Sequence, residues 1–442
     1  MMKDKIKKTK KLAIIEGMMF NIFFIGIQGF VMTTIALYFN ATPFILALVS
    51  TLPIIAQSFQ IFVIKMYKYL KTRKNILVTM SLISRAIFIL LPILVYFKIK
   101  NSWILVLIIA IYSVFGTFVG NVWTAAMKEI IDEKERGVYF SKRNFFASLA
   151  TMVAVYLYGF ILNKFDDRQG IFYVTLIMAF FALASVFLLR KHYIPNIENI
   201  NEKTSISIFK PLKNDNFKKF LLFVFFWNLS VEVAKPFFSY YQVHVLNIDK
   251  ELLGFFSVIS GIITMILYTN IGKIADKFGN RFLLSIGMFI STYSLLIYIF
   301  IDKNNFHLVI LLDSIINAFA WSAINLAFFN LLLEVAEEPA EAYTGIYAFI
   351  LSIAGITAAV LGGILGNALD GKIIKIFTGE YNGIKFIFIF AFCIRIYSIL
   401  QLSSIDSYIK PFKYKGILPL NGILTKRLNI KIDKTTKELF KK

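Results

Sequence analysis

The chain has 442 residues, of which 58% are hydrophobic and 17% charged, and its mean hydropathy is +0.71. Soluble domains carry about 45–50% apolar and about 25% charged residues; the surplus here comes as long unbroken runs, which excludes a soluble globular fold. The formal net charge of +22 does not point to nucleic acid, because the basic residues sit in connections and tails between the apolar runs, where membrane topology accounts for them.

The chain opens with a basic stretch, Lys3 to Lys11, followed by apolar residues from Leu12. That is the charge order of a signal peptide. The apolar segment runs on to Phe39, however, far past a signal core of about 7–15 residues, and it reads as an uncleaved first helix. Apolar runs then predict membrane helices over 12–39, 43–64, 75–97, 102–124, 144–164 and 171–189, and over 219–242, 251–271, 282–301, 307–332, 343–366 and 386–404. These are long enough to cross ~30 Å of hydrocarbon. We number them spans 1 to 12. The predicted organisation is an all-α polytopic membrane protein with a six-helix unit over 1–189, a polar connection over 190–218, a second six-helix unit over 219–405 and a basic tail over 406–442.

Placing the N-terminus inside puts 36 basic residues in the tails and cytoplasmic connections and nine in the outer ones. The opposite orientation reverses that bias, so both termini are expected in the cytoplasm and the bilayer is expected to be the plasma membrane. Within the central connection, the stretch from Ile208 to Lys219 holds Pro211 and Phe217 and reads as a short interfacial lead-in. The tail carries Pro411, Gly416 and Pro419, which break any long helix, and its lysines suit an anionic inner leaflet, unless it is merely solvated. The single cysteine, Cys393, lies in an apolar run and makes no internal disulfide.

The two halves echo each other. Glu129, Asp132, Glu133 and Glu135 lead through Arg136-Gly137-Val138-Tyr139 into a helix; later, Glu334, Glu337, Glu338 and Glu341 lead through Ala342-Tyr343-Thr344-Gly345 into another. The second half also holds a polar island between spans 8 and 9 with Gly272, Asp276, Lys277, Gly279 and Arg281, and residues 65–74 occupy its place in the first half. This pattern between two membrane helices resembles the cytoplasmic loop signature of the major facilitator superfamily. The resemblance covers about residues 12–405. It implies two pseudo-symmetric six-helix bundles, with spans 1, 4, 7 and 10 around a central cavity. Two features depart from the family pattern: 65–74 lacks the Asp and both glycines, and span 5 lacks the Gly-Pro pattern of the drug-efflux antiporters.

Polar residues inside the spans are the candidate site, because ionisable groups in a bilayer are costly. Span 7 carries Asn228, Glu232, Lys235 and Ser239 on one face, and span 10 carries Asp313, Asn317, Trp321 and Asn325 at successive fours. Span 1 adds Asn21 and Gln28, and span 4 adds Asn121. Glu232 and Lys235, just before Pro236, read either as a substrate or ion site or as a self-neutralising pair. Asp313 reads as a proton-binding carboxylate or as a helix end in the outer headgroups. Arg85 and Arg395 in spans 3 and 12 read as marks of a carboxylate or phosphate substrate, or as structural pairs and snorkelling side chains.

Enzyme and metal signatures are absent from the sequence: there is no His-Glu-x-x-His, no nucleotide-binding Gly-rich loop and no Gly-x-Ser-x-Gly. No cofactor is expected. The expected function is secondary active transport of a small solute by a monomer, coupled to a proton or sodium gradient. The alternatives are efflux antiport of amphipathic compounds and a non-transporting sensor or lipid-handling protein. The resemblance further implies that Asp276 docks on the start of span 5, Ser141-Lys142-Arg143. For the first-half loop, charge signs predict the reverse chemistry: Lys68, Lys71 or Arg73 on Glu337, Glu338 or Glu341.

Overall fold

The computed structural model describes residues 2–62, 66, 69–195, 210–337, 340–376 and 379–406. Most of the central connection and nearly the whole basic tail, with its expected membrane contact, therefore lie outside the described residues; the expected lead-in is described from Lys210 on, as a 3₁₀ turn over Lys210–Lys213 ahead of a helix in which Phe217 is buried. Among the described residues eleven helices are long and apolar enough to span a bilayer, and a twelfth span forms if one bent pair counts as one.

That pair is span 1, Met2–Ile25 and Gly29–Tyr38, bent by 49° at the break. The N–H groups of Gly26, Ile27 and Gln28 fold back on the carbonyls of Phe23, Phe24 and Ile25 at 3.1–3.2 Å. Gly29 restarts the helix at φ +51°, a conformation that glycine adopts without a Cβ penalty. Span 2 is Pro43–Ile55, started by the Thr42 cap and tightening into a 3₁₀ turn over Ala56–Phe62. Span 3 runs through Arg73–Ala86, Ile87–Ile89 and Leu90–Tyr96, tightening where Pro92 has no N–H for the Phe88 carbonyl. Spans 4 to 6 are Ser102–Ile130, Glu133–Lys164 and Asp167–Arg190.

In the second half, span 7 is Asp215–Tyr240, extended by a wider π turn at Tyr241–Val245. Spans 8 to 12 are Lys250–Phe278, Asn280–Phe300, Phe306–Val335, Ala340–Leu369 and Lys385–Leu402. Several boundaries differ from the sequence reading: span 1 begins ten residues before the expected 12, and span 4 ends six residues past the expected 124. Span 5 begins eleven residues before the expected 144, because its charged start is helix-compatible and simply emerges from the apolar layer. Span 8 continues through the loop signature to Phe278, so the expected ten-residue connection shrinks to Gly279 at φ +88°. Between spans 11 and 12 an unexpected hairpin pairs Ile373–Ile376 with Gly379–Asn382.

The halves pack alike. In the first, span 1 lies against 5 and 6, span 3 against 4 and 6, and span 2 against 4; in the second, span 7 lies against 11 and 12, span 9 against 10 and 12, and span 8 against 10. Adding six to each number of the first set yields the second, as an internal repeat requires. The main contacts between bundles, 2 with 11 and 5 with 8, are exchanged by the same operation. Close approach is concentrated toward the ends that bear the 39–43, 246–250 and 366–385 connections. There a Cβ on Gly159 of span 5 would collide with the Lys250 carbonyl, and one on Gly366 of span 11 would meet Phe237 and Pro43. The Phe44 N–H donates to Asn367 Oδ1 at 3.0 Å, and the Tyr156 hydroxyl donates to Glu251 Oε1 at 2.9 Å. Small residues let backbones meet where hydrophobicity gives helices in lipid no drive to associate.

Gly159→Val is therefore expected to destabilise the purified protein by about 1–3 kcal/mol through overpacking. Gly120→Ala, inside a helix and with nothing within 4 Å of its Cβ, should not lower the melting temperature. Thermal unfolding of the two variants in one detergent checks this; an undisturbed Gly159→Val would show that spans 5 and 8 are not in close register.

Candidate functional site

Span 7 presents Val231, Glu232, Lys235, Phe238, Ser239 and Gln242 to a cavity of about 480 Å³. Span 9 adds Ser294 and Tyr298, span 10 adds Asp313, Asn317 and Trp321, and span 12 adds Arg395. All four helices belong to the second bundle. The 3.6-residue period brings Glu232, Lys235 and Ser239 to one face of span 7 and Asp313, Asn317 and Trp321 to one face of span 10.

Four charges meet in this wall. Glu232 is buried and receives Lys235 Nζ at 3.4 Å from both carboxylate oxygens, while the lysine side chain stays half exposed. Asp313 is buried and meets no cation among the described contacts. Its Oδ1 accepts from the Ser294 hydroxyl at 2.6 Å and from the Asn317 amide at 2.8 Å, and that amide also donates to Ser294 Oγ at 3.0 Å. Arg395, 3% exposed, donates from Nε to Ser230 Oγ at 3.2 Å and from Nη1 to the Ser291 carbonyl at 2.8 Å, with its guanidinium 5.2 Å from the Trp227 ring centroid. Aromatic walls complete the cavity: Tyr298 packs edge-on against Phe238, and Gln242 donates to the Tyr298 hydroxyl.

Among the sequence candidates, Glu232, Lys235, Asp313, Asn317, Trp321 and Arg395 thus come together. Asn21, Gln28, Asn121, Asn228 and Asn325 do not line this cavity. Asn21 and Asn228 donate to the carbonyls of Gly17 and Val224 in their own helices at 2.7 and 2.8 Å, the local way to satisfy an amide in lipid. Asn325 is exposed, and Asn121 and Gln28 are half-buried. Arg85 lies in the first bundle, buried, its Nη1 on Glu16 Oε1 at 3.2 Å and Ser185 Oγ at 2.6 Å. Sequence reading passed over Ser294 and Tyr298, because serine and tyrosine are unremarkable in a membrane helix.

The loop-signature residues lie apart from the cavity. Lys277 is exposed, and Arg281 ties the start of span 9 to the end of span 12 through the Ile405 and Ser403 carbonyls at 2.8 and 2.7 Å. Gly272 falls within span 8; the side chains of Asp276, Lys68, Glu338 and Glu341 lie outside the described residues, so the expected docking of Asp276 does too. Arg73 donates to Glu129 of its own bundle at 2.6 Å, and Glu337 accepts from Asn214 and Tyr343. Among the described residues no group of His, Cys, Asp and Glu could hold a metal.

Twelve spans in two repeated bundles, with a charged cavity walled by buried side chains, define a membrane transporter and not an enzyme. The chain belongs to the Major Facilitator Superfamily, whose sequence profile matches residues 16–394. Its fold is similar to that of the nucleoside transporter NupG (13% identity, 93% of this chain and 100% of that one, TM-score 0.65). It is also similar to a D-xylose–proton symporter (15%, 93% and 100%, 0.65) and to a bacterial homologue of the iron transporter ferroportin in an inward-facing state (11%, 91% and 99%, 0.66). No curated protein sequence matches the chain.

Because Ser294 donates to a carboxylate away from water, Ser294→Ala should cost about 1.5–3 kcal/mol. In a cycle with Asp313→Ala, which removes the acceptor, the two effects should depart from additivity by at least ~0.5 kcal/mol. Thermal unfolding of the four proteins measures the coupling; strict additivity would mean that the bond is not formed.

Proposed function

We propose that this chain carries a small polar solute across the cytoplasmic membrane by alternating access, coupled to a proton or sodium gradient, with both termini inside. The observation that carries the proposal is the cavity itself: two carboxylates and two cations, all in membrane spans, face one space of about 480 Å³. Groups so costly in lipid are retained where they bind or move charge. The positive-inside count supports the orientation. The fold shared with a D-xylose–proton symporter supports the coupling.

The cavity divides the work between its charges. Glu232 is balanced by Lys235, so it can exchange partners when a solute arrives. Asp313 is held by neutral donors, so an incoming proton or sodium ion would balance it. The coupling ion enters at Asp313, and the solute binds between it and the Glu232–Lys235 pair. Rocking of the bundles at the contacts between spans 5 and 8 and between 2 and 11 opens the cavity to each side of the membrane in turn.

The test is solute-dependent flux into liposomes that carry the full chain, with and without an imposed proton or sodium gradient. Wild type should accumulate its solute uphill. Asp313→Asn and Glu232→Gln should each lose uphill accumulation, by at least about tenfold, while retaining part of the solute exchange; a tenfold loss corresponds to only ~1.4 kcal/mol. Accumulation in both variants at the wild-type level would overturn the assignment.

A further inference from the structure

Two buried arginines occupy corresponding layers of the two bundles. Arg85 of span 3 reaches Glu16 of span 1 and Ser185 of span 6, and Arg395 of span 12 reaches Ser230 of span 7 and the Ser291 carbonyl of span 9. Spans 1, 3 and 6 map onto 7, 9 and 12 in the repeat, so each guanidinium cross-links the same three-helix layer. Each also sits over an aromatic ring, Arg85 4.6 Å from the Phe20 centroid and Arg395 5.2 Å from that of Trp227.

They differ in what balances the charge. Arg85 has the Glu16 carboxylate at 3.2 Å. Arg395 has a hydroxyl, a carbonyl and a ring, and no carboxylate within ion-pair distance among the described residues. A guanidinium carries five N–H donors; two of them are used, and the remaining three have no protein partner among the described residues. The carboxylates nearby are committed, Glu232 to Lys235 and Asp313 to Ser294 and Asn317. A guanidinium so thoroughly buried requires a counter-charge, and Arg395 is part of the cavity wall.

We propose that the cavity's solute supplies this counter-charge: it is a small organic oxyanion, a carboxylate or phosphate monoester, whose anionic group seats on the free donors of Arg395. This rests on the transport reading for its setting but concerns binding alone. The planar donor edge of arginine matches a carboxylate or phosphate. Lys235, whose half-exposed side chain lines the same cavity, adds a second positive charge. Trp321, Phe238 and Tyr298 offer flat apolar surface to the rest of the molecule.

Equilibrium binding to the purified full chain tests the proposal, read by thermal shift and by quenching of tryptophan fluorescence. The probes are benzoate, succinate and phenyl phosphate, each paired with its neutral amide or alcohol. At least one oxyanion should raise the melting temperature in a saturable, salt-sensitive way while its neutral partner does not, and the preferred probe separates carboxylate from phosphate chemistry. Arg395→Lys, which keeps the charge but loses the planar donor edge, should weaken that binding roughly 10- to 100-fold, and Arg395→Gln should abolish it. Equal response to the charged and neutral members of each pair, or no response to any oxyanion, would overturn the proposal, and the wild-type comparison decides this even where Arg395→Gln does not fold. Uphill transport of a neutral solute alone would defeat the oxyanion assignment and leave the transport reading intact; oxyanion binding without flux would do the reverse.

Discussion

Charge in hydrocarbon governs this structure. No water in the bilayer core hydrogen-bonds a stray N–H, and an isolated ion there is costly by several kcal/mol even on the mildest scales. Each ionisable group within a span must therefore be explained by its neighbours. Arg85 is explained by Glu16 and Ser185, and Arg143 reaches the same carboxylate at 3.8 Å while lying 4.4 Å from the Trp123 ring centroid. Glu232 is explained by Lys235. Asp313 and Arg395 are left with neutral partners, and both face the same cavity in the second bundle.

The same solvent dictates how the bundles meet. Lipid gives apolar helices no reason to prefer one another, so association depends on close packing and on the few hydrogen bonds that can be made. Helix pairs 5 with 8 and 2 with 11 meet through glycine contacts, which allow backbone-to-side-chain distances too short for any larger residue. Contacts of this kind have two workable arrangements, closed or apart, and few between, which suits the alternation proposed above. The internal repeat supplies two equivalent seams from one packing solution.

Much of this was legible in the sequence. Membrane spans announce themselves by length and hydropathy, and Glu232, Lys235 and Asp313 stand out because charge is rare in such runs. The burial of Asp313 was not legible: span 9 brings Ser294 against it and leaves it 8% exposed. That burial depends on which helix packs beside span 10, a tertiary fact that no periodicity carries. The asparagines illustrate the reverse case: Asn21 and Asn228 look like cavity ligands by spacing, yet each amide is satisfied one turn back in its own helix. The bend in span 1 and the hairpin over 373–382 were hidden for a related reason. Both depend on backbone turns, and apolar patterning reports burial without reporting direction.

The central claim is that two rigid bundles alternate about a charged cavity in the second. Pulsed electron-spin distance measurement tests it most directly, on a Cys393→Ser background with labels at two pairs of sites. One pair, at Lys98 and Lys303, reports the end where the bundles meet closely; the other, at Lys128 and Lys277, reports the opposite end. With the protein in nanodiscs, changing the pH or adding sodium should shift the two distances in opposite senses, one pair separating as the other closes. Distances that stay fixed under every condition, or that lengthen together, would contradict the account.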